Sequence, residues 1–239
     1  MGQFTNIFLW LVVAFLVADY PLQLNVVLQI RYKYRYGGAL HAAIHALAGF
    51  FFLYPYLGHW QIWAAYGATI VAHYFIDTVS KKNVFMLLGD QAAHFLLMAA
   101  VAFLCRGLAP LALPPLLARY YFDVHVPLYI TGYLAATFAG TIVIYFLKMT
   151  FRRGYGPRPI LLYEKTTGVL SRALVVTAVL LGFKLSPAFF FLAPVGDLLR
   201  LYQVVTLRGD DRAYKNVYVA DVIISFIYAA AIGAALALV

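Results

Sequence analysis

Apolar runs of about 17–25 residues recur along nearly all of this chain, and no other feature restricts the fold as much. Eight such segments are read, at about 4–28, 38–57, 60–80, 84–105, 126–148, 166–183, 186–205 and 217–238. Runs of this length suit membrane-spanning helices; a barrel strand needs only about 9–11 residues with strict alternation. A helix also satisfies every backbone polar group internally, which hydrocarbon demands. Only 11% of residues are charged and 64% are hydrophobic, against roughly 25% charged in soluble domains. A water-facing surface cannot be built from that supply. The expected fold is an all-α polytopic membrane helix bundle of about eight spans. Pro194, Gly196, Asp197 and Arg200 interrupt the seventh segment, and a re-entrant path there would leave seven. The first run lacks a basic start and a small-residue cleavage site, so it reads as a span and not as a removable signal. The Pro-rich stretch from Ala109 to Leu117 is too short to cross and reads as a loop or surface helix.

Basic residues give the orientation. Arg31, Lys33 and Arg35 follow the first span, and Lys81 and Lys82 the third. Lys148, Arg152, Arg153, Arg158 and Lys165 follow the fifth, and Arg200, Arg208, Arg212 and Lys215 the seventh. The alternate loops hold only Arg106, Arg119 and Lys184. The positive-inside rule then makes the first set cytoplasmic and both termini external. The organisation expected is a four-helix half at 1–105, an extracytoplasmic connection at 106–125 and a C-terminal membrane helical half at 126–239. The net charge of +9 suits anionic headgroups before nucleic acid. A single cysteine, Cys105, excludes an intrachain disulfide and a Cys-rich metal site.

Against this apolar background stand seven ionisable residues: Asp19, His41, His45, His73, Asp77, Asp90 and His94. Six of them form pairs four apart, and residues four apart share one helix face. Ionisable groups in a membrane core are costly and face functional sites. Imidazole with carboxylate suits a divalent metal. In the orientation above, His41 and His45 open span 2, His73 and Asp77 close span 3, and Asp90 and His94 lie early in span 4. Asp19 lies just before Pro21, which should bend or break span 1. All seven thus fall at similar depth in the cytoplasmic half. The expected metal ligands are His41, His45, His73, Asp77, Asp90 and His94, with Asp19 as a further ligand or the catalytic base. The expected cofactor is one or two divalent ions, zinc first, with manganese or iron as alternatives.

Other polar residues carry quieter readings. Gln91 points about 100° away from Asp90 on a helix, and Gln23, Asn25 and Gln29 extend the polarity after Pro21. His59 and His125 read as interfacial and Asp123 as solvated. Tyr120, Tyr121, Tyr129 and Tyr133 look like an interfacial belt. Glu164, Arg172, Asp197, Arg200 and Asp221 read as ion pairs locking spans 6, 7 and 8. The alternative is that Arg172 or Arg200 holds an anionic headgroup.

The motifs "ADYPLQ" (Ala18 to Gln23), "HAAIH" (His41 to His45), "HYFID" (His73 to Asp77) and "DQAAH" (Asp90 to His94) resemble, in that order, a bacterial membrane family catalogued as domain of unknown function thirty-three-oh-seven. "YEKTTGVLSR" (Tyr163 to Arg172) and "VADVIISF" (Val219 to Phe226) are similar to its later segments, whereas "GDLLRLYQ" departs from the basic stretch expected there. The resemblance implies a bacterial cytoplasmic (inner) membrane and no established activity. In style, the helix-borne pairs are similar to predicted membrane-bound metal-dependent hydrolases.

The function expected is a metal-dependent membrane hydrolase acting on a lipid or lipid-linked phosphoester near the cytoplasmic leaflet. Its partners would be membrane lipids and that substrate, with no nucleic acid. A divalent metal or proton transporter is the alternative, although the second half does not repeat the histidine pairs. A b-type haem is disfavoured by the aspartates beside the histidines. A non-enzymatic scaffold stapled by a structural metal is the remaining reading.

Overall fold

The computed structural model describes residues 2–23, 27, 29–30, 33–34, 36–79, 83–151, 162–207 and 212–239. Asn25, Arg31, Arg35, Lys81, Lys82, Arg152, Arg153, Arg158 and Arg208 lie outside the described residues, as do the side chains of Glu164, Lys165, Arg212 and Lys215. All regular structure among the described residues is helical. The chain divides into two compact units, Met1–Thr131 and Gly132–Val239.

The first unit is built on α1 (Gln3–Asp19), α2 (Gly37–Phe52), α3 (Trp60–Ile76) and α4 (Val84–Cys105), with the short α5 (Pro115–Tyr121). Helix α1 ends where Pro21 predicts. Asn83 starts α4, its side chain accepting from Met86 N at 2.9 Å. Helix α1 packs against α2 and α4, and α3 packs against both of these. At the end of the bundle away from Asp19, Asn6 Nδ2 and Trp10 Nε1 both donate to Tyr121 O, at 2.8 and 2.9 Å. Tyr121 stacks on Trp10 (4.9 Å between ring centres) and its hydroxyl donates to Phe52 O at 2.6 Å. Tyr121 is therefore a closing residue of this unit. Burial pushes its phenol above the ordinary range, aided by Tyr56, so it remains a donor. The Pro-rich stretch is held to the first unit by Leu111 N donating to Pro55 O at 2.6 Å.

The second unit contains most of α6 (His125–Phe151), which begins in the first, with α7 (Leu162–Lys184), α8 (Val195–Leu207) and α9 (Arg212–Ala237). A π turn at Ala135–Ala139 interrupts α6. Among the described residues four helices are long and apolar enough to cross a membrane: Val84–Cys105, His125–Phe151, Thr166–Lys184 and Tyr218–Ala237. Helix α4 turns Leu88, Leu96, Phe103 and Leu104 outward, an apolar surface that lipid solvates and water does not. The membrane-protein class is thus supported, but eight spans are not reached among the described residues. Helices α1, α2 and α3 have 17, 16 and 17 residues, or about 24–26 Å at 1.5 Å per residue, against a hydrocarbon core of about 30 Å. The seventh segment is not one helix. Ser186 and Pro187 open a 3-10 turn at Pro187–Leu192, and only the 13-residue α8 follows.

Two sequence expectations change in the second unit. Arg172 is buried yet has no acidic partner among the described residues. Its Nε and one terminal nitrogen donate to Thr137 O at 3.2 and 2.6 Å, the same nitrogen reaches Thr141 Oγ1, and the other donates to Ser225 Oγ at 3.1 Å. Thr137 lies within the π turn, so the guanidinium docks where the helix departs from regular α geometry. Asp221 pairs with Lys148 at 2.6 Å. Within the expected set Asp197 and Arg200 pair at 2.9 Å among the described residues, and Ser171 also donates to Asp197. Tyr133 likewise ties helices together, its hydroxyl lying 2.8 Å from Thr177 Oγ1.

Candidate metal centre

Consecutive antiparallel helices put the C-terminal ends of α1 and α3 beside the N-terminal ends of α2 and α4. Asp19 is the last residue of α1, His41 lies early in α2 with His45 at its middle, His73 is in the last turn of α3, Asp77 caps it, and Asp90 lies in the second turn of α4 with His94 at its middle. The depth agreement expected from the sequence therefore becomes proximity. All four histidines are at most 3% exposed.

The atoms converge. His41 Nε2 lies 3.2 Å from Asp19 Oδ1 and 3.3 Å from Asp77 Oδ2. His45 Nε2 lies 3.0 Å from Asp19 Oδ1, and His73 Nε2 lies 3.3 Å from Asp77 Oδ2. Two donors on one tetrahedral ion at 2.0–2.1 Å stand about 3.3 Å apart, so these separations match a shared ion. His73 Nε2 makes no hydrogen bond among the described residues, although Asp77 stands beside it. Among the described residues two overlapping groups have the spacing that a metal ion needs: Asp19, His41, His45 and His73; and His73, Asp77 and His94. Asp90 belongs to neither, and meets the cluster through His94, with Oδ2 3.7 Å from His94 Nδ1.

Sequence reasoning missed the residues that hold these rings. Phe15 lies against three imidazoles, with ring centres 4.9 Å from His94, 5.6 Å from His45 and 6.1 Å from His73. Tyr66 donates from its hydroxyl to His45 O at 2.6 Å. That contact needs Gly49, where a Cβ would stand 2.0 Å from the Tyr66 ring. Gln91 was expected to face away, yet it donates to Asp90 Oδ2 at 3.1 Å and accepts from Tyr20 Oη at 3.4 Å. A flexible side chain spans the angle that its Cα position sets. No periodicity announces such contacts. His59 and His125 lie elsewhere: His59 Nε2 is 2.6 Å from Ala109 O and His125 stacks on Tyr129. Asp123 accepts from His125 N at 3.0 Å.

A small cavity lies against the His45, His73 and His94 rings, walled by Leu11, Phe15, Ile70 and Met98. It offers about 20 Å³ to the centre of a water molecule, enough for one water and too little for a headgroup. On the other side of the imidazoles the Asp19 side chain remains 15% exposed.

Residues 7–112 match a family model described as "Protein of unknown function (DUF3307)". That is the family to which the four motifs pointed. The match contains α2 to α4 whole, most of α1 and all seven polar residues. The likenesses noted for "YEKTTGVLSR" and "VADVIISF" fall outside it. No curated protein and no solved structure matches the chain.

Proposed function

We propose that the first unit binds a divalent metal, zinc first with manganese or iron as alternatives, and hydrolyses a lipid or lipid-linked phosphoester at the cytoplasmic leaflet of a bacterial membrane. The observation that carries the reading is the meeting of three imidazole Nε2 atoms with two carboxylate oxygens at 3.0–3.3 Å. Three buried imidazoles are a common catalytic zinc set. A divalent ion there would supply Lewis-acid polarisation and would acidify a bound water toward a pKa of about 7. His41, His45 and His73 would hold it. Asp19, touching two of them and partly exposed, would orient the attacking water and take its proton. Asp77 offsets the ion's charge between His41 and His73. The water-sized cavity on the apolar side leaves the Asp19 side as the approach for a headgroup.

A structural ion is the second reading. The near-complete burial of the histidines favours it, because structural sites are closed. Purified protein loaded with zinc or manganese, given a panel of phospholipids and lipid-linked phosphoesters, separates the two. The hydrolase reading expects turnover that chelation abolishes and Asp19→Asn lowers at least a hundredfold. Metal-replete protein silent across the panel would leave the ion structural. Metal-driven flux in proteoliposomes would instead make the protein a transporter.

A further inference from the structure

We infer that one ion is bound, that His94 does not ligate it, and that Asp90, His94 and His73 form a chain fixing which nitrogen of His73 does. This rests on the metal reading above. The argument runs through hydrogen-bond direction. His94 Nδ1 lies 2.8 Å from the backbone carbonyl of Asp90, an oxygen that only accepts. A neutral His94 ring therefore carries its proton on Nδ1 and a lone pair on Nε2. That Nε2 stands 2.6 Å from His73 Nδ1 and must accept from it. With its proton on Nδ1, His73 presents a lone pair at Nε2, the atom that faces Asp77 Oδ2 at 3.3 Å and makes no hydrogen bond among the described residues.

Spacing agrees with the proton count. Two ligands of one tetrahedral ion are about 3.3 Å apart, and 2.6 Å between His73 and His94 nitrogens is too short for that. A second ion on His73, Asp77 and His94 would have to break the bond that orients His73. His94 is thus a positioning residue. Phe15 of α1 stacks on it 4.9 Å away, so the His94 ring that supports His73 is itself held by α4 through the Asp90 carbonyl and by α1 through Phe15. Metal-ligating histidines commonly donate their second N–H to a carboxylate, a backbone carbonyl or water, and losing that acceptor costs about 10–100-fold in metal affinity; here the His94 imidazole takes the acceptor's place.

The test uses full-length protein in detergent, loaded with zinc or cobalt, with X-ray absorption to count imidazoles and titration to measure affinity. The wild type should hold one ion with three imidazoles. His94→Leu should weaken binding about 10–100-fold without changing that count. His94→Gln, whose amide oxygen can accept from His73 Nδ1, should recover most of the loss. His73→Gln should remove one imidazole. A fall in the imidazole count with His94→Gln, or two ions in the wild type and one in that variant, would overturn the assignment. A wild type that binds no ion while monodisperse would defeat the metal reading itself.

Discussion

His45 is held from two directions, by Asp19 at its Nε2 and by the Tyr66 hydroxyl at its backbone carbonyl. Its loss should therefore be felt first as lost metal. His45→Ala combined with Asp77→Ala should bring metal content close to zero by elemental analysis; unchanged stoichiometry would show that the ligand set lies elsewhere. Tyr66→Phe removes one buried hydrogen bond and should cost about 1 kcal/mol in thermal or denaturant unfolding. Arg172 poses the same question in the second unit. Its fork reaches Thr137 O, Thr141 Oγ1 and Ser225 Oγ together. Arg172→Lys, a point charge that cannot span three oxygens, should destabilise by about 2–3 kcal/mol. An unchanged unfolding midpoint would show that the guanidinium is not what holds the π turn.

Between elements, the decisive contact is the crossing of α2 and α3. Gly49 on α2 leaves the space that the Tyr66 ring of α3 occupies. Gly49→Ala should force the ring away, cost about 1–3 kcal/mol and weaken metal binding through His45. Gly67, on the same helix as Tyr66, has nothing within 4 Å of its missing Cβ. Gly67→Ala should be neutral or stabilising by up to about 1 kcal/mol. Equal effects of the two substitutions in thermal unfolding would remove the packing argument. This crossing was not legible in the sequence, where both glycines stand in similar apolar runs. The end of α1 was legible, because Pro21 has no N–H with which to continue a helix.

For the whole molecule, an ion bridging the ends of α1, α2 and α3 should link metal binding to folding. At a free concentration a thousandfold above Kd, binding adds about 4 kcal/mol. Chelation should thus lower the unfolding temperature of the first unit, and zinc should restore it. A midpoint indifferent to both would place the ion, if bound at all, outside the bundle's stabilising contacts. Membrane class was readable because hydropathy is a sum over residues and needs no partner. Span count was not. Helix length depends on where local breaks fall, and the turn at Ala193 and Pro194 divides the seventh apolar segment into a 3-10 turn and a 13-residue helix.

Residue order alone determined that helices would form, that lipid would be their solvent, and that paired histidines and aspartates would share helix faces at one depth. Those properties follow from local hydropathy and the helical repeat. Tertiary packing decided which nitrogens and oxygens meet, that His94 Nε2 lies against His73 Nδ1, and that Arg172 takes neutral partners. Such choices turn on ångström separations between chain segments distant in sequence, which no repeat along a single helix encodes.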